Sequence, residues 1–531
     1  MEPNIKNGDD GKLNIAIIGG GISGMSCAYL LTMGGHNCTV FEKGNYLGGH
    51  TNTVQVKFQE ETVKIDTGFL VYTPQKYPNL MTLFKRLGIK NGESDMSFGY
   101  SLNARQGIEK TVEMEVVANE ITTNPIKAPI RREIEWCSDN LSTIFAQWQN
   151  LFRPSFWRLL IDLYRFSKDG PLIVTPENLE KYKNMSVRQY CEINGYSRAF
   201  IEYYLIPVAS AVWSTSFKEV DLFPIVTLAR FFQNHGLFKI VNRPQWNSVQ
   251  GGSYQYMEKI KEFLESNGGK ILLSSPVSKV VRSKNTQDGV FITTTTTTTN
   301  GTTTDTATTN TQHFDRVVFA CHTPDIFPML TDMTYPERKV LSGFKFTHCL
   351  AYLHSDPLLM PRRRSTWSSW NYIYDDSSLT ENKLCCTYWL NRIQPWVNAE
   401  KYPLYLTLNP VFQPNPSLLH RVIEYDHPLI CPESDKAKSR LPTIQGIRNS
   451  FYCGAWTGYG FHEDGITSGL LAAQLIDPSL NKLWKVDVTR YIDEFPSNPD
   501  KTTLTIFKNI LYFSTLLTLI YYSKPILNKF K

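Results

Sequence analysis

The first apolar run of the chain, Asn14–Ile18, lies between polar neighbours and predicts a short strand. Gly19-Gly20-Gly21-Ile22-Ser23-Gly24 follows. A helical pattern then runs to about Met33, Gly34-Gly35 ends it, and Cys38–Glu42 predicts a second strand. Strand, glycine turn, helix and strand in that order make one βαβ unit. Residues 104–132 are more polar and predict a surface insertion. From Ile134 to about Ser167 the spacing predicts helix. Within it, Arg153–Phe166 places Phe156, Leu159, Leu160 and Leu163 on one face, with Phe152 leading in and Arg158 and Arg165 off the stripe. Such a stripe suits a helix facing the core or one lying on a membrane surface.

Two segments break the pattern. Residues 293–311 are a threonine-rich tract without apolar payload, expected as a disordered insertion: the expanded loop of a hairpin with Phe291-Ile292 before it and Arg316–Phe319 after it. Leu504–Ser523 is a 20-residue, mostly apolar stretch with one charge, Lys508, and lysines beyond it. Its length suits a bilayer-spanning tail or an amphipathic helix docked on the body.

At 531 residues, the chain is long enough for roughly two to four domains. Apolar residues at 42% and charged residues at 20% exclude a disordered chain. A net charge of +6 gives no support to nucleic-acid binding. A mean hydropathy of −0.27 excludes a polytopic membrane protein. The ten cysteines form no C-x-x-C and no zinc spacing, and Met1–Asp10 lacks the apolar core of a signal peptide. Reduced thiols in a cytosol-facing compartment follow as the expectation: cytoplasmic, or on a membrane through the C-terminal tail.

Gly19-x-Gly21-x-x-Gly24 follows a strand and opens a helix, and Glu42 ends the next strand. Gly19 permits the tight turn, Gly21 lets backbone approach a pyrophosphate, and Gly24 allows helix and strand to pack closely. The helix N-terminus offers N–H groups to phosphate, and Glu42 can accept from ribose hydroxyls. Gly48-Gly49-His50 then adds a second diglycine, followed by a β-hairpin and Asp66-Thr67-Gly68. A plain NAD dehydrogenase has no use for that second loop.

Here the sequence resembles the flavin-containing amine oxidase superfamily, in particular its amine-oxidase-like branch of NAD/FAD-binding oxidoreductases. Further stretches carry the likeness: Asp66–Tyr72, Arg243–Trp246, Gly251–Tyr254, Pro361–Arg364, Trp370–Tyr372, Glu424–Pro428 and, most strongly, Tyr452–Gly469. The resemblance implies an α/β, two-domain FAD-dependent oxidoreductase with a Rossmann-like FAD/NAD(P)-binding domain and an α+β substrate domain. The expected division is a polar arm at 1–12, an FAD domain at 13–75, 246–325 and 436–480, a substrate domain at 76–245 and 326–435, and a tail at 481–531. The resemblance also implies site roles. Gly19, Gly21, Ser23 and Gly24 belong to the diphosphate turn, Glu42 to the adenosine ribose, and Gly48, Gly49 and His50 to the second diphosphate loop. Gly68 faces the flavin, Val277 reads adenine through its backbone, and Gly465, Ile466 and Thr467 start a helix aimed at the flavin pyrimidine. Gly454 precedes that helix; Ala455 stands after it where the family usually has an acidic residue, and Tyr46 stands where many members carry arginine.

His462 and Glu463 are candidates for proton transfer, with capping by Glu463 and Asp464 as the other reading. Arg362–Arg364 could hold an anionic head group or form a solvated loop. Asp426-His427 could be a proton-transfer pair or a turn, and Cys453 is expected buried beside the flavin strand. No metal is expected. The substrate segments are rich in Phe, Tyr and Trp, which suits either core or an apolar tunnel. Three functions stay open: an oxidoreductase acting on a long apolar or fatty-acyl-like small molecule, an amine oxidase, and a non-enzymatic FAD-bound protein.

Overall fold

The computed structural model describes residues 11–102, 133–213, 220, 223–240, 243–284, 288–298, 306–374 and 385–489. The expected βαβ unit is present as β1 (Asn14–Ile18), α1 (Ile22–Met33) and β2 (Asn37–Phe41). Every residue of α1 is buried, because the helix is apolar on all sides and is packed between the sheet and the last long helix. After the hairpin Thr53–Phe58/Glu61–Asp66 comes α2 (Pro78–Leu87). Its Leu80, Leu83 and Phe84 join the same core as α1.

The amphipathic helix of the middle region is α3 (Pro154–Asp169). Phe156, Leu159 and Leu160 are buried in the larger core, with Leu163 packed against it. The stripe is therefore core, not a membrane face. Its arginines are engaged as well: Arg158 and Arg165 both bond Asp162, and they reach the carbonyls of Gly195 and Asn194. The predicted helix does not extend back to Ile134. Ile134–Cys137 is a strand, paired with Phe98–Leu102. All four of its residues are buried, which is how an interior strand differs from one face of a helix.

The chain returns to the first domain with β3 (Lys270–Leu272), then β4 (Val277–Arg282), β5 (Val290–Thr298), β6 (Thr306–Phe314) and β7 (Arg316–Phe319). β8 (Ser450–Tyr452) and α4 (His462–Ile476) come last. The parallel sheet runs β8-β7-β1-β2-β3, while β4-β5-β6 form an antiparallel sheet beside it. The threonine tract is thus not disordered where it is described. Thr293–Thr298 pairs with Thr306–Thr311 in a continuous ladder, consistent with the β preference of branched side chains.

The second domain is built on a seven-stranded sheet in the order Leu419–Pro428, Phe346–His354, Tyr405–Leu408, Cys385–Trp389, Trp370–Tyr374, Phe98–Leu102, Ile134–Cys137. Asp426-His427 lies in its first strand rather than in a turn. Arg363 is not available to a ligand, because its guanidinium is paired with Glu133 and Glu135 at 2.7 and 2.5 Å. All ten cysteines are free thiols. Among the described residues no helix is long and apolar enough to cross a membrane, and Leu504–Ser523 lies outside them.

Candidate functional site

The glycine turn shapes the site through close contacts. Gly19 has φ +111°, and a Cβ there would press on the Ala320 carbonyl at 2.8 Å. A Cβ on Gly24 would collide with the Gly19 carbonyl oxygen. Gly21 differs: a Cβ would have no neighbour nearer than the Gly48 oxygen at 4.0 Å, so the space over the α1 N-terminus is open. The first turn of α1 carries no acidic residue and no side-chain cap. Its leading N–H groups are left for an anion. The second diglycine is tied to the first, with Gly48 N–H donating to the Gly20 carbonyl at 2.9 Å. Glu42 accepts from the Gly20 and Gly44 N–H groups, each at 2.7 Å, which holds its carboxylate at the end of β2. Asp66 accepts from Ser253 N–H at 2.9 Å and so fixes the turn that leads to Gly68.

These loops open on a cavity of about 750 Å³ between the two domains. Gly19, Gly21, Ser23, Glu42, Gly48, Gly49, His50, Gly68, Val277, Gly454 and His462 all line it. Gly24, Gly465, Ile466 and Thr467 do not. Gly24 and Gly465 serve the packing of α1 against its neighbours, with a Cβ on Gly465 meeting Ile22 at 2.7 Å. Ile466 is fully buried, and the Thr467 hydroxyl accepts from the Asn79 amide at 2.9 Å. Glu463 is corrected to a structural role. Its carboxylate accepts from Asn79 and Leu80 N–H at 2.8 and 3.0 Å, at the N-terminus of α2 and outside the cavity lining. Asp464 accepts from Tyr459 and Phe461 N–H, turning the chain into α4. Cys453 is buried, and burial pushes its thiol up.

His462 reaches the cavity. Its ring stacks on Phe69 at 3.9 Å, and its Nε2 lies 2.6 Å from the Tyr256 hydroxyl, which lies 2.8 Å from the Thr51 hydroxyl. Burial, with His50 adding to it, lowers its pKa to about 3, so the imidazole is neutral. Three more histidines line the cavity beside the diglycine loop. His50 stacks on Tyr425 at 4.7 Å, His427 stands 5.1 Å from His50, and His322 stacks on Phe346 at 4.4 Å. Burial and mutual repulsion lower His50 to about 4 and His427 to about 3. Burial also lowers His322. Sequence reasoning passed over Tyr256, His322, Phe69 and Tyr425. Phe69 and Tyr425 lie within the stretches Asp66–Tyr72 and Glu424–Pro428, which point to the family without giving these two a role, and Tyr256 and His322 lie in no such stretch.

A parallel βαβ sheet with two glycine loops, an acidic strand end and a second domain closing over the cavity defines a two-domain dinucleotide-binding oxidoreductase. A family model for flavin containing amine oxidoreductases matches residues 22–346, more than half of the chain. The chain belongs to this family, and FAD is its cofactor. The residues fit that group: the open space over Gly21, the uncapped N–H groups of α1 and the Glu42 carboxylate provide for diphosphate and ribose. Amine oxidase A of Bos taurus is 25% identical over 285 residues, 53% of this chain and 47% of that protein. The chain thus spans about half the length of the curated amine oxidases it matches. A 15-cis-phytoene desaturase of Synechococcus elongatus is 35% identical over 79 residues, 15% of this chain and 16% of that protein. Among solved structures, cyclohexylamine oxidase from Brevibacterium oxydans has a TM-score of 0.55 at 12% identity, covering 88% of this chain and 100% of that one. A CLA-producing fatty acid isomerase from P. acnes has a TM-score of 0.50 at 14% identity, covering 88% and 98%. These two share the fold.

Proposed function

We propose that this FAD-dependent oxidoreductase acts on a long apolar, fatty-acyl-like substrate, which it oxidises, desaturates or isomerises. The observation that carries the reading is the makeup of the cavity. Phe69, Tyr77, Met96, Phe231, Trp246 and Phe461 line it, and the only lysine or arginine among the described lining residues is Lys43, held on Asp325 at 3.2 Å. Among the described residues no lysine is therefore available there to hold a water beside the flavin, the feature that would favour an amine oxidase. A sequence relative over 79 residues named as a phytoene desaturase, and a protein of the same fold named as a fatty acid isomerase, agree with this substrate class.

FAD, when bound, supplies the hydride acceptor for a substrate carbon. The apolar walls bury an alkyl chain at about 0.8 kcal/mol per CH₂ and exclude water. His462 holds the proton that a neighbouring carbon loses. In the tautomer whose Nε2–H donates to Tyr256, Nδ1 carries the lone pair, and that atom has no protein partner among the described residues.

An amine substrate is the second reading. It draws on Trp370 and Tyr388, which line the cavity edge to face at 4.8 Å and could hold an ammonium group through their π faces. Anaerobic stopped-flow reduction of the flavin, with unsaturated fatty acids and with primary, secondary and polyamines, separates the two. Bleaching by lipid is expected. Rapid bleaching by an amine and none by any lipid would reverse the assignment.

A further inference from the structure

The diphosphate of FAD carries two negative charges, and the cavity that receives it is short of permanent cations. Among the described lining residues there is no arginine, and Lys43 is already paired with Asp325. Glu42, Asp325, Glu424 and Asp426 line the same cavity. The N-terminus of α1 offers only about half a positive charge. What stands beside the diglycine loop instead is a group of imidazoles: His50, next in chain to Gly49, His427 at 5.1 Å from it, and His322. The Nδ1 of His427 is buried without a hydrogen-bond partner among the described residues.

We propose that His50, His322 and His427 compensate the charge of the FAD diphosphate, so that the cofactor binds together with a proton taken from solvent. The surroundings of this cluster are consistent with that role. From β2 and the loop after it come Glu42, Lys43 and Tyr46. From the segment after β7 come Cys321 and Asp325, and from strand Leu419–Pro428 come Glu424, Tyr425 and Asp426. The remaining neighbour is His462 at the start of α4. The Asp426 carboxylate is engaged with His348 at 3.0 Å, and Lys43 spends its charge on Asp325. The permanent cations nearest to the cluster are Lys43, in an exposed pair with Asp325, and Arg421, which acts on Tyr46 from strand Leu419–Pro428 and lies outside the cavity lining. Without the anion, burial and mutual repulsion keep the imidazoles neutral. A dianion among them reverses the balance, because a nearby opposite charge favours the protonated form. The proposal rests on the FAD assignment and adds the groups that answer its charge.

The sign follows from linkage. One imidazole neutral in the FAD-free protein and protonated in the complex weakens FAD binding about tenfold per pH unit between its two pKa values. The experiment uses holoenzyme diluted at a series of values from roughly pH 5 to 8. Fluorescence of released FAD reads Kd, an indicator dye in weak buffer reads the proton released with it, and circular dichroism checks that the fold persists. The expected result is a Kd rising with pH by about tenfold per unit over part of the range, with close to one proton released per FAD. His50→Arg, which supplies a permanent cation, should flatten the profile and reduce the proton release. A wild-type Kd constant across the range, with no proton released, would overturn the proposal while leaving FAD as the cofactor. Protein that carries no flavin absorbance at any pH and cannot be reconstituted with FAD would overturn both, and flavin that stays bound at every pH would overturn the proton-coupled binding alone.

Discussion

The phenol oxygen of Tyr256 lies 2.6 Å from Nε2 of His462, joining helix Tyr254–Ser266 to the first residue of α4. The two residues are 206 positions apart in the chain. Their bond holds the imidazole edge-on to the phenol and stacked on Phe69, with Nδ1 the ring nitrogen left for a ligand.

His462→Gln should slow flavin reduction by a good substrate about 100-fold or more, the usual worth of a positioned acid or base. FAD content should stay near that of the parent. Because burial lowers His462 to about 3, the imidazole is neutral above that value, and the reduction rate should show no step near the ordinary histidine pKa of 6.5. Single-turnover kinetics across the pH range check both.

Tyr256→Phe removes one partner of a buried bond and leaves Nε2 of His462 and the Thr51 hydroxyl unmatched. A destabilisation of about 1–3 kcal/mol is expected in chemical denaturation, with a smaller fall in reduction rate than for His462→Gln. A rate loss equal to that of His462→Gln, with stability unchanged, would mean that the phenol itself meets the substrate.

Gly21 and Gly24 should separate binding from folding. Gly21→Val adds bulk to open space, so the chain should fold but lose FAD affinity by at least about 100-fold, close to 2.7 kcal/mol. Gly24→Ala sets a methyl against the Gly19 carbonyl and should lower stability itself, by about 1–3 kcal/mol. Flavin absorbance and thermal unfolding, measured on both variants, distinguish the two effects.

Glu463→Gln withdraws a full charge from the N-terminus of α2. A loss of about 1–2 kcal/mol in thermal unfolding is expected, with flavin reduction close to the parent rate. A large rate loss at unchanged stability would return Glu463 to the chemistry.

Acid stability should report on Glu337. Burial pushes its carboxyl up, but Arg282, Thr334 and Tyr452 outweigh burial and hold it below the ordinary glutamate range. A depressed carboxylate stabilises the fold above its unfolded pKa and loses that contribution as pH falls through the folded one. Unfolding free energy should therefore decline below about pH 4.5, and Glu337→Ala should remove about 1–3 kcal/mol at neutral pH, because Arg282 loses its buried carboxylate partner and keeps only the ion pair with Asp332.

Features whose physics is local were legible in the sequence. The glycine spacing, Glu42 and the second diglycine each act within a few residues of one another, and all of them reach the cavity or its packing. Ile134–Cys137 was misread because four buried residues in a row have no period that separates strand from helix. The threonine tract lacks apolar residues, yet β-branched side chains pair well on a surface sheet. Asp426-His427 stood out as a pair, but only the fold places His427 beside His50. Tyr256 carries no motif at all. Its role is set by α4, which arrives two hundred residues later.

The β5–β6 hairpin joins a fixed base to a repetitive outer stretch. Val290, Ile292 and Phe314 are buried at the base, whereas the outer rungs pair threonine with threonine or alanine. Two residues added to each arm would extend the ladder, keep the same faces inward and leave the base pairs untouched. The hairpin is thus a place where the length of this chain can drift without reaching the cavity. For the same reason it is the natural graft point for an epitope or a fluorescent domain in a full-length, flavin-loaded enzyme.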